Sequence, residues 1–169
     1  TYSINKYYEI IKNNEELALN KEDFIKCIKQ SADDGDPDAM FQYAQMLHEG
    51  KKITRDIKEA AKYYKMAANN GNAELIFKCA GILRCIDPFG YKDAIEFYKK
   101  AADLNHTESM YKYAIIVKNG AGVKADKKEA AKYFRLAASH GHIDSMNEYC
   151  QLYLEIDDYL ILFFLVSID

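Results

Sequence analysis

The sequence predicts an all-α fold, a superhelical α/α solenoid of stacked antiparallel helix pairs. Three observations lead to this prediction. A two-part segment recurs along the chain, apolar residues within each part are spaced as on one face of a helix, and glycine and proline are scarce, at eight and two of 169 residues. A helix pair of this kind buries its apolar faces only by stacking on its neighbours, which is the arrangement of a solenoid.

The first part of the repeat occurs four times without gaps, in segments that end at Ala44, Ala80, Ala114 and Cys150, which are 36, 34 and 36 residues apart. Its apolar positions follow i, i+3, i+4 and i+7, the spacing of one helical stripe. The stripes predicted to be buried are Met40, Tyr43, Ala44 and Leu47; Ile76, Cys79, Ala80 and Leu83; Met110, Tyr113, Ala114 and Val117; and Met146, Tyr149, Cys150 and Tyr153.

The second part of the repeat is the most similar between copies. Residues 59–71 (EAAKYYKMAANNG) and 129–141 (EAAKYFRLAASHG) are identical at eight of thirteen positions, and residues 93–105 and 23–35 are more divergent copies. The predicted stripes are Ala60, Tyr64 and Ala67; Ala94, Tyr98 and Ala101; and Ala130, Phe134 and Ala137. Alanines at fixed positions permit close helix approach, and the aromatic rings fill the space between units.

These parts predict one solenoid domain over residues 1–169, with a degenerate unit at about 1–35, units at 36–71, 72–105 and 106–141, and an incomplete unit at 142–169. Glycines after the first helix are expected to end it in a left-handed conformation. Asp56 and Asp126 are expected to cap the second helix. The loop of the 72–105 unit is shorter and contains Asp87-Pro88 and Gly90, so a different turn and a local loss of regular curvature are expected there.

The run from Gly120-Ala-Gly122-Val123 through Asp126 and Tyr133-Phe134 to Gly141 resembles the Sel1-like repeat. Lys52 and the tyrosines at 63 and 133 depart from the family pattern, which has glycine and commonly tryptophan there. The resemblance covers about residues 36–155. It implies an α/α superhelix similar to tetratricopeptide arrays, which bind proteins or peptides and are often joined to other domains, some of them catalytic.

Composition and motifs exclude several function classes. The net charge of −3 offers no basic surface for nucleic acid, and neither a signal peptide nor a full membrane span is present, so no membrane association is expected. His140, His142 and Cys150 lack a further ligand at zinc spacing, so no metal or cofactor is expected.

Cysteine usage bears on the compartment. The four cysteines form no CxxC pair, which indicates reduced thiols and a cytoplasmic protein. Cys27, Cys79 and Cys150 are interpreted as packing residues and Cys85 as outward-facing. The glycosylation acceptor Asn105-His106-Thr107 leaves the lumen of the endoplasmic reticulum or the secretory pathway as the alternative.

We expect a non-enzymatic scaffold that binds a protein or peptide. The alternative is a regulatory or docking segment of a larger enzyme, such as a kinase or a ligase-complex component, with its catalytic domain outside this chain. By the resemblance, the first helices line the concave face, and the candidate partner-binding residues are Phe41, Gln45, His48, Phe77, Arg84, Tyr111, Ile115, Lys118, Asn147 and Gln151. The aromatic members either receive the partner or complete packing between units.

Two further features have competing interpretations. Asp38, Glu74, Glu108 and Asp144 form an acidic row that either selects a basic partner or stabilises helix N-termini, and the second interpretation is favoured. The apolar tail at 159–169 (YLILFFLVSID) is too short to span a bilayer. It is interpreted as a second helix covered by further sequence, with docking on a partner, self-association or a non-native terminus as alternatives.

Overall fold

The computed structural model of the protein describes residues 21–51, 53–86 and 90–166, with side chains as far as residue 155. This part contains eight helices and no strand. They are α1 (Lys21–Asp33), α2 (Pro37–Glu49), α3 (Ile57–Asn70), α4 (Ala73–Ile86), α5 (Gly90–Asp103), α6 (Thr107–Asn119), α7 (Lys127–Ser139) and α8 (Ile143–Val166). Helices α2, α4, α6 and α8 are the first helices of their repeats, and α1, α3, α5 and α7 are the second helices. The predicted all-α solenoid fold is confirmed.

The helices group into two compact units, residues 1–90 and residues 91–169. In the first unit α1 packs on α2, α2 on α3, and α3 on α4. In the second unit α6 packs on α7 and α7 on α8. In each of these pairs, helices that follow one another in sequence are therefore also neighbours in space, as stacked hairpins require.

The ends of the hairpin helices follow the sequence signals. Gly50 and Gly120 end α2 and α6, each with φ of 67°, a left-handed conformation that glycine adopts without steric cost. The side chain of Asp56 accepts a hydrogen bond from a backbone N–H in the first turn of α3, and Asp126 does the same for α7. These predicted caps are confirmed. The altered loop at Asp87-Pro88 lies outside the described residues.

A second set of caps, which the sequence analysis did not identify, begins the first helices. Asp36, Asn72, His106 and His142 occupy equivalent positions. Each accepts a hydrogen bond from the backbone N–H three residues on, at 3.0, 2.9, 3.2 and 3.1 Å respectively. In the two histidines Nδ1 is the accepting atom.

The core consists of the predicted stripes in the first three copies. Every residue of these stripes in α2, α4 and α6 is buried, as is every one of the predicted alanines and rings in α3, α5 and α7. The two helices of a hairpin meet through tyrosines. Tyr43 and Tyr63 pack edge to face with ring centroids 4.9 Å apart, and Tyr113 and Tyr133 do so at 4.8 Å. The same contact is therefore repeated in both units.

The predicted stripe of the fourth copy is wrong. Met146, Cys150 and Tyr153 are exposed and Tyr149 is half-buried, whereas Ser145 and Leu152 are buried instead. The reason is that α8 runs without a turn from Ile143 to Val166. The tail up to residue 166 thus continues the first helix, and in the part of the chain that the structure describes no second helix folds back over the stripe.

The cysteine interpretations are partly corrected as well. Cys79 is buried and Cys85 is exposed, as predicted, but Cys27 and Cys150 are exposed rather than packed. Cys27 lies in the degenerate copy, where α1 has no preceding described helix to cover it. Cys150 lies on the uncovered side of α8. Burial raises the pKa of Cys79 to about 12, so this thiol stays protonated and unreactive at neutral pH.

The two units differ in one buried ring, which is a tyrosine in α3 and a phenylalanine in α7. The hydroxyl of Tyr64 is buried and has no hydrogen-bond partner among the described residues, and the equivalent residue of α7 is the fully buried Phe134. A buried hydroxyl without a partner costs about 1–3 kcal/mol. We therefore expect Tyr64→Phe to raise the free energy of unfolding by about 1 kcal/mol and Phe134→Tyr to lower it by a similar or larger amount.

Urea denaturation of the two single variants and of the wild type measures this difference. A Tyr64→Phe variant less stable than the wild type would contradict the expectation, since it would mean that the hydroxyl makes a stabilising contact.

Candidate partner-binding face

The aromatic row of the first helices is only partly buried. Phe41, Phe77 and Tyr111 are half-buried, and the fourth member, Asn147, is exposed. The Phe41 ring packs at 5.5 Å on Tyr64 of the second helix. Tyr111 packs on Phe134 at 6.0 Å, the equivalent contact in the second unit. These rings therefore contribute to packing within their own hairpins while one side of each remains accessible.

The neighbouring candidates of the first unit lie on the same side of their helices. Gln45 and His48 follow Phe41 at i+4 and i+7 along α2, and both are half-buried. The His48 ring is 6.4 Å from that of Tyr64. Arg84 occupies the position on α4 that corresponds to His48 and is exposed. Polar groups of different chemistry thus flank the aromatic row.

In the second unit the candidate residues differ in exposure and in ion pairing. Ile115 and Lys118 follow Tyr111 along α6 and are half-buried, and Asn147 and Gln151 of α8 are exposed. Lys118 Nζ forms an ion pair with the carboxylate of Glu148 on α8. A partner would therefore meet Lys118 as half of a neutral pair.

The acidic row lies at helix N-termini, as the favoured interpretation required. Asp38, Glu74, Glu108 and Asp144 are all in the first turns of first helices. Glu74 and Glu108 also pair with lysines one turn further on, Lys78 at 3.1 Å and Lys112 at 3.2 Å. The carboxylates of Glu74 and Glu108 are therefore already paired with a cation of their own helix, which reduces the charge that they offer to a basic partner.

The pKa of Glu108 reflects this engagement. Partial burial acts to raise it, but the hydrogen bond and charge of Lys112, with a smaller contribution from His142, leave the pKa of Glu108 below its usual value. His142 Nε2 lies 3.3 Å from Glu108 Oε2, and its ring is 4.7 Å from the ring of Tyr111. His142 thus links the N-terminus of α8 to the face of α6 that carries Tyr111.

Sequence reasoning missed a polar contact that joins successive second helices. Tyr63 Oη donates a hydrogen bond to Asp33 Oδ1 at 2.7 Å, and Tyr133 Oη donates to Asp103 Oδ1 at 2.8 Å. Both pairs are 30 residues apart in sequence. At the intervening copy the same two positions are Asn69 and Phe97, so the carboxylate and the hydroxyl are absent together. This simultaneous loss of both groups in one copy is the feature of the sequence that could have indicated the contact.

A related cluster connects α5, α6 and α7. Tyr113 Oη donates to Glu129 Oε1 at 2.9 Å, and Lys99 Nζ donates to the same oxygen at 3.2 Å. Burial, followed by the hydrogen bond to Glu129, raises the pKa of Tyr113, and the bond to Glu129 raises the pKa of Lys99. Glu129 is the first residue of the repeated EAAKY segment, and its carboxylate accepts both of these hydrogen bonds.

The histidines considered as metal ligands make structural contacts in the part of the chain that the structure describes. No group of three His, Cys, Asp or Glu side chains there is arranged to hold a metal ion. His142 is a helix cap, and His140 Nδ1 lies 3.3 Å from Thr107 Oγ1. None of the described helices has the length and apolar character that crossing a bilayer requires.

Comparison with known families decides the classification. The sequence pattern of the Sel1 repeat matches residues 37–72, 90–106 and 107–142, which is more than half of the chain. The chain belongs to the Sel1 repeat family. Its match begins at the first residue of α2, omits residues 73–89 and ends just before α8, so α1, α4 and α8 lie outside the matched repeats.

Solved Sel1-type structures agree with this assignment. One is c5321, described as a protective antigen of uropathogenic Escherichia coli strains with an SLR fold. It is 28% identical with a TM-score of 0.61, over 78% of this chain and 28% of that one. A Sel1 repeat protein from Oxalobacter formigenes, at 20% identity and a TM-score of 0.58 over 75% of this chain and 97% of that one, supports the fold alone. The chain thus spans less than a third of the first of these proteins. No curated protein matches the sequence.

The buried tyrosines predict a dependence of stability on alkaline pH. Burial first, and then the hydrogen bonds that their hydroxyls donate to Asp33 and Asp103, raise the pKa values of Tyr63 and Tyr133. The folded chain therefore keeps these protons where the unfolded chain loses them, so the contribution is complete below the unfolded tyrosine pKa of about 10 and is lost as the pH rises above it.

We expect the free energy of unfolding, measured with urea, to decline above about pH 10 less steeply in Tyr63→Phe/Tyr133→Phe than in the wild type. Tyr153→Phe, at an exposed position, is the control and should decline as the wild type does. Identical slopes in the double variant and the wild type would contradict the assignment of these two groups.

Proposed function

We propose that the chain is a non-enzymatic interaction module that binds a segment of a partner protein along its first helices. The binding surface, here called the first-helix face, comprises Phe41, Gln45, His48, Phe77, Arg84, Tyr111, Ile115, Lys118, Asn147 and Gln151. The observation that carries the proposal is the half-buried aromatic ring at one equivalent position of three repeats, Phe41, Phe77 and Tyr111.

These rings have the physical properties of binding anchors. Aromatic side chains dominate interface energetics when a partner removes their remaining exposed surface from water. Phe41 and Tyr111 already rest on the buried rings of Tyr64 and Phe134. Because their rotamers are held before binding, little additional side-chain entropy is lost when a partner covers them.

Specificity would come from the residues beside the anchors. The position one turn after the ring is Gln45, Gly81, Ile115 and Gln151 in the four copies, and the next is His48, Arg84 and Lys118 in three of them. In contrast, the core stripes keep similar apolar residues from copy to copy. A surface that varies while its scaffold repeats is suited to a partner with a defined sequence rather than to a repetitive one.

Family membership supports the same class of function. Sel1 repeats generally form protein-interaction scaffolds, and the matched repeats include Phe41 and Tyr111. The partner, and the use of this particular face, are the content of the proposal.

The test combines cross-linking capture from a cell lysate with quantitative binding of the partner that it identifies. We expect Phe41→Leu/Phe77→Leu/Tyr111→Leu to weaken that binding by about tenfold or more, since removal of aromatic anchors costs above about 1.4 kcal/mol. Leucine keeps apolar volume against the second helices, so the change in stability should stay small enough for the variant to remain folded.

A matched control places the same number of substitutions on the opposite helices. Lys62, Glu96 and Lys132 share one exposed position of the second helices, and replacing all three by alanine should leave binding unchanged. Equal affinity of the triple leucine variant and the wild type, with both helical by circular dichroism, would rule out the first-helix face as the binding surface.

A further inference from the structure

Helix α8 has an apolar stripe that no other part of the described chain covers. Ile143, Met146, Cys150, Tyr153 and Leu154 follow the positions i, i+3, i+7, i+10 and i+11 and are all exposed. Met146 is 51% exposed and Tyr153 is 55% exposed. The buried residues of the helix, Ser145 and Leu152, lie on its other side. A contiguous apolar stripe of this length is unusual on a free surface and marks an interaction site.

The other repeats reveal what normally covers this surface. Met40 and Leu47 of α2, the equivalents of Met146 and Tyr153, are only 3% and 4% exposed. The tyrosine between them, Tyr43, packs on Tyr63 of the second helix of its own hairpin. Helix α8 packs on α7 but continues straight to Val166. Within the described residues it therefore retains the contact with the second helix of the preceding repeat and has none with a second helix of its own repeat.

We propose that the α8 stripe binds an amphipathic helix of a partner protein that resembles the second helices of this chain. Such a helix has an acidic residue at its first position, alanines at the second and ninth positions, and an aromatic pair between them, as α7 has in Glu129, Ala130, Tyr133, Phe134 and Ala137. The stripe shares no residue with the first-helix face, and the proposed contact repeats the helix-on-helix interface already present between α6 and α7.

Individual residues of α8 fit this occupant. Tyr149 is equivalent to Tyr113, whose hydroxyl donates to Glu129 and whose ring packs on Tyr133. Tyr149 Oη has no acceptor among the described residues, so an acidic first residue on the partner helix would supply one. Cys150 is equivalent to Ala114, and a small side chain at that position allows the two helix backbones to approach closely.

A second copy of the chain fits less well. Within the described residues, its α3 and α7 are already packed in their own hairpins, on α2 and α6. Its own α8 stripe would offer the large side chains of Met146 and Tyr153 where a second helix offers alanine. Two α8 helices could therefore not approach each other as closely as α6 and α7 do. A helix with the alanine pattern of the second helices fits the stripe better than another α8 does.

The probe is a labelled synthetic peptide with the sequence of residues 126–140 (DKKEAAKYFRLAASH), added to the full chain and followed by fluorescence anisotropy. We expect saturable binding that falls about tenfold or more with Met146→Glu/Tyr153→Glu, because each charge would be buried in an apolar contact. Leu104→Glu, at a leucine of the same unit that is 53% exposed in the turn after α5, should leave binding unchanged. A peptide with glutamate in place of Ala130 and Ala137 should not bind.

A second readout needs no variant of the chain. Saturating peptide should slow alkylation of the Cys150 thiol about tenfold and leave the exposed thiols of Cys27 and Cys85 reacting as before. The triple leucine variant of the first-helix face should bind the peptide as the wild type does, which separates this proposal from the preceding one.

The proposal is overturned if the peptide shows no saturable binding, or if Met146→Glu/Tyr153→Glu leaves its affinity unchanged. It is also overturned if the wild-type chain dimerises through this stripe, which would appear in sedimentation as a concentration-dependent mass that the double variant abolishes and the peptide does not reverse.

Discussion

Close approach of neighbouring helices, made possible by fully buried alanines, is the constraint on which the rest of the structure depends. Ala60 and Ala67 of α3 have no exposed surface, and neither do Ala130 and Ala137 of α7. With no side chain beyond Cβ at these positions, the helix backbones can come close enough for the tyrosines between them to meet edge to face. The alanines of the repeated EAAKY segment thus set the distance between neighbouring helices, and its tyrosine fills the space between them.

Polar contacts add direction to this packing. The bonds from Tyr63 to Asp33 and from Tyr133 to Asp103 link α3 to α1 and α7 to α5. Rings on the first helices rest on the same second helices from the other side, so their outward surfaces are held in place before any partner arrives. The packing of first-helix rings on second helices therefore both stabilises the hairpin and fixes the position of a half-exposed aromatic ring on its surface. This connects the repeat pattern to the proposed binding function.

Most of the fold could be predicted because helical stripes, left-handed glycines and aspartate caps are local signals. Whether a stripe is covered is not local. Met146 has the same spacing as Met40, yet it is exposed because α8 does not turn back on itself. The caps at His106 and His142 were also missed, since histidine is an uncommon acceptor at a helix N-terminus. For the first-helix face, the sequence predicted which residues face outward but not that Lys118 is paired with Glu148.

The most direct test of the central claim compares two adjacent alanines of one helix. Ala137 is fully buried, whereas Ala138 is half-buried, and replacing either by leucine changes helix propensity equally. If buried alanines set the helix separation, urea denaturation should show Ala137→Leu losing about 1–3 kcal/mol of unfolding free energy and Ala138→Leu losing clearly less. Equal losses, or no loss at Ala137, would contradict the account.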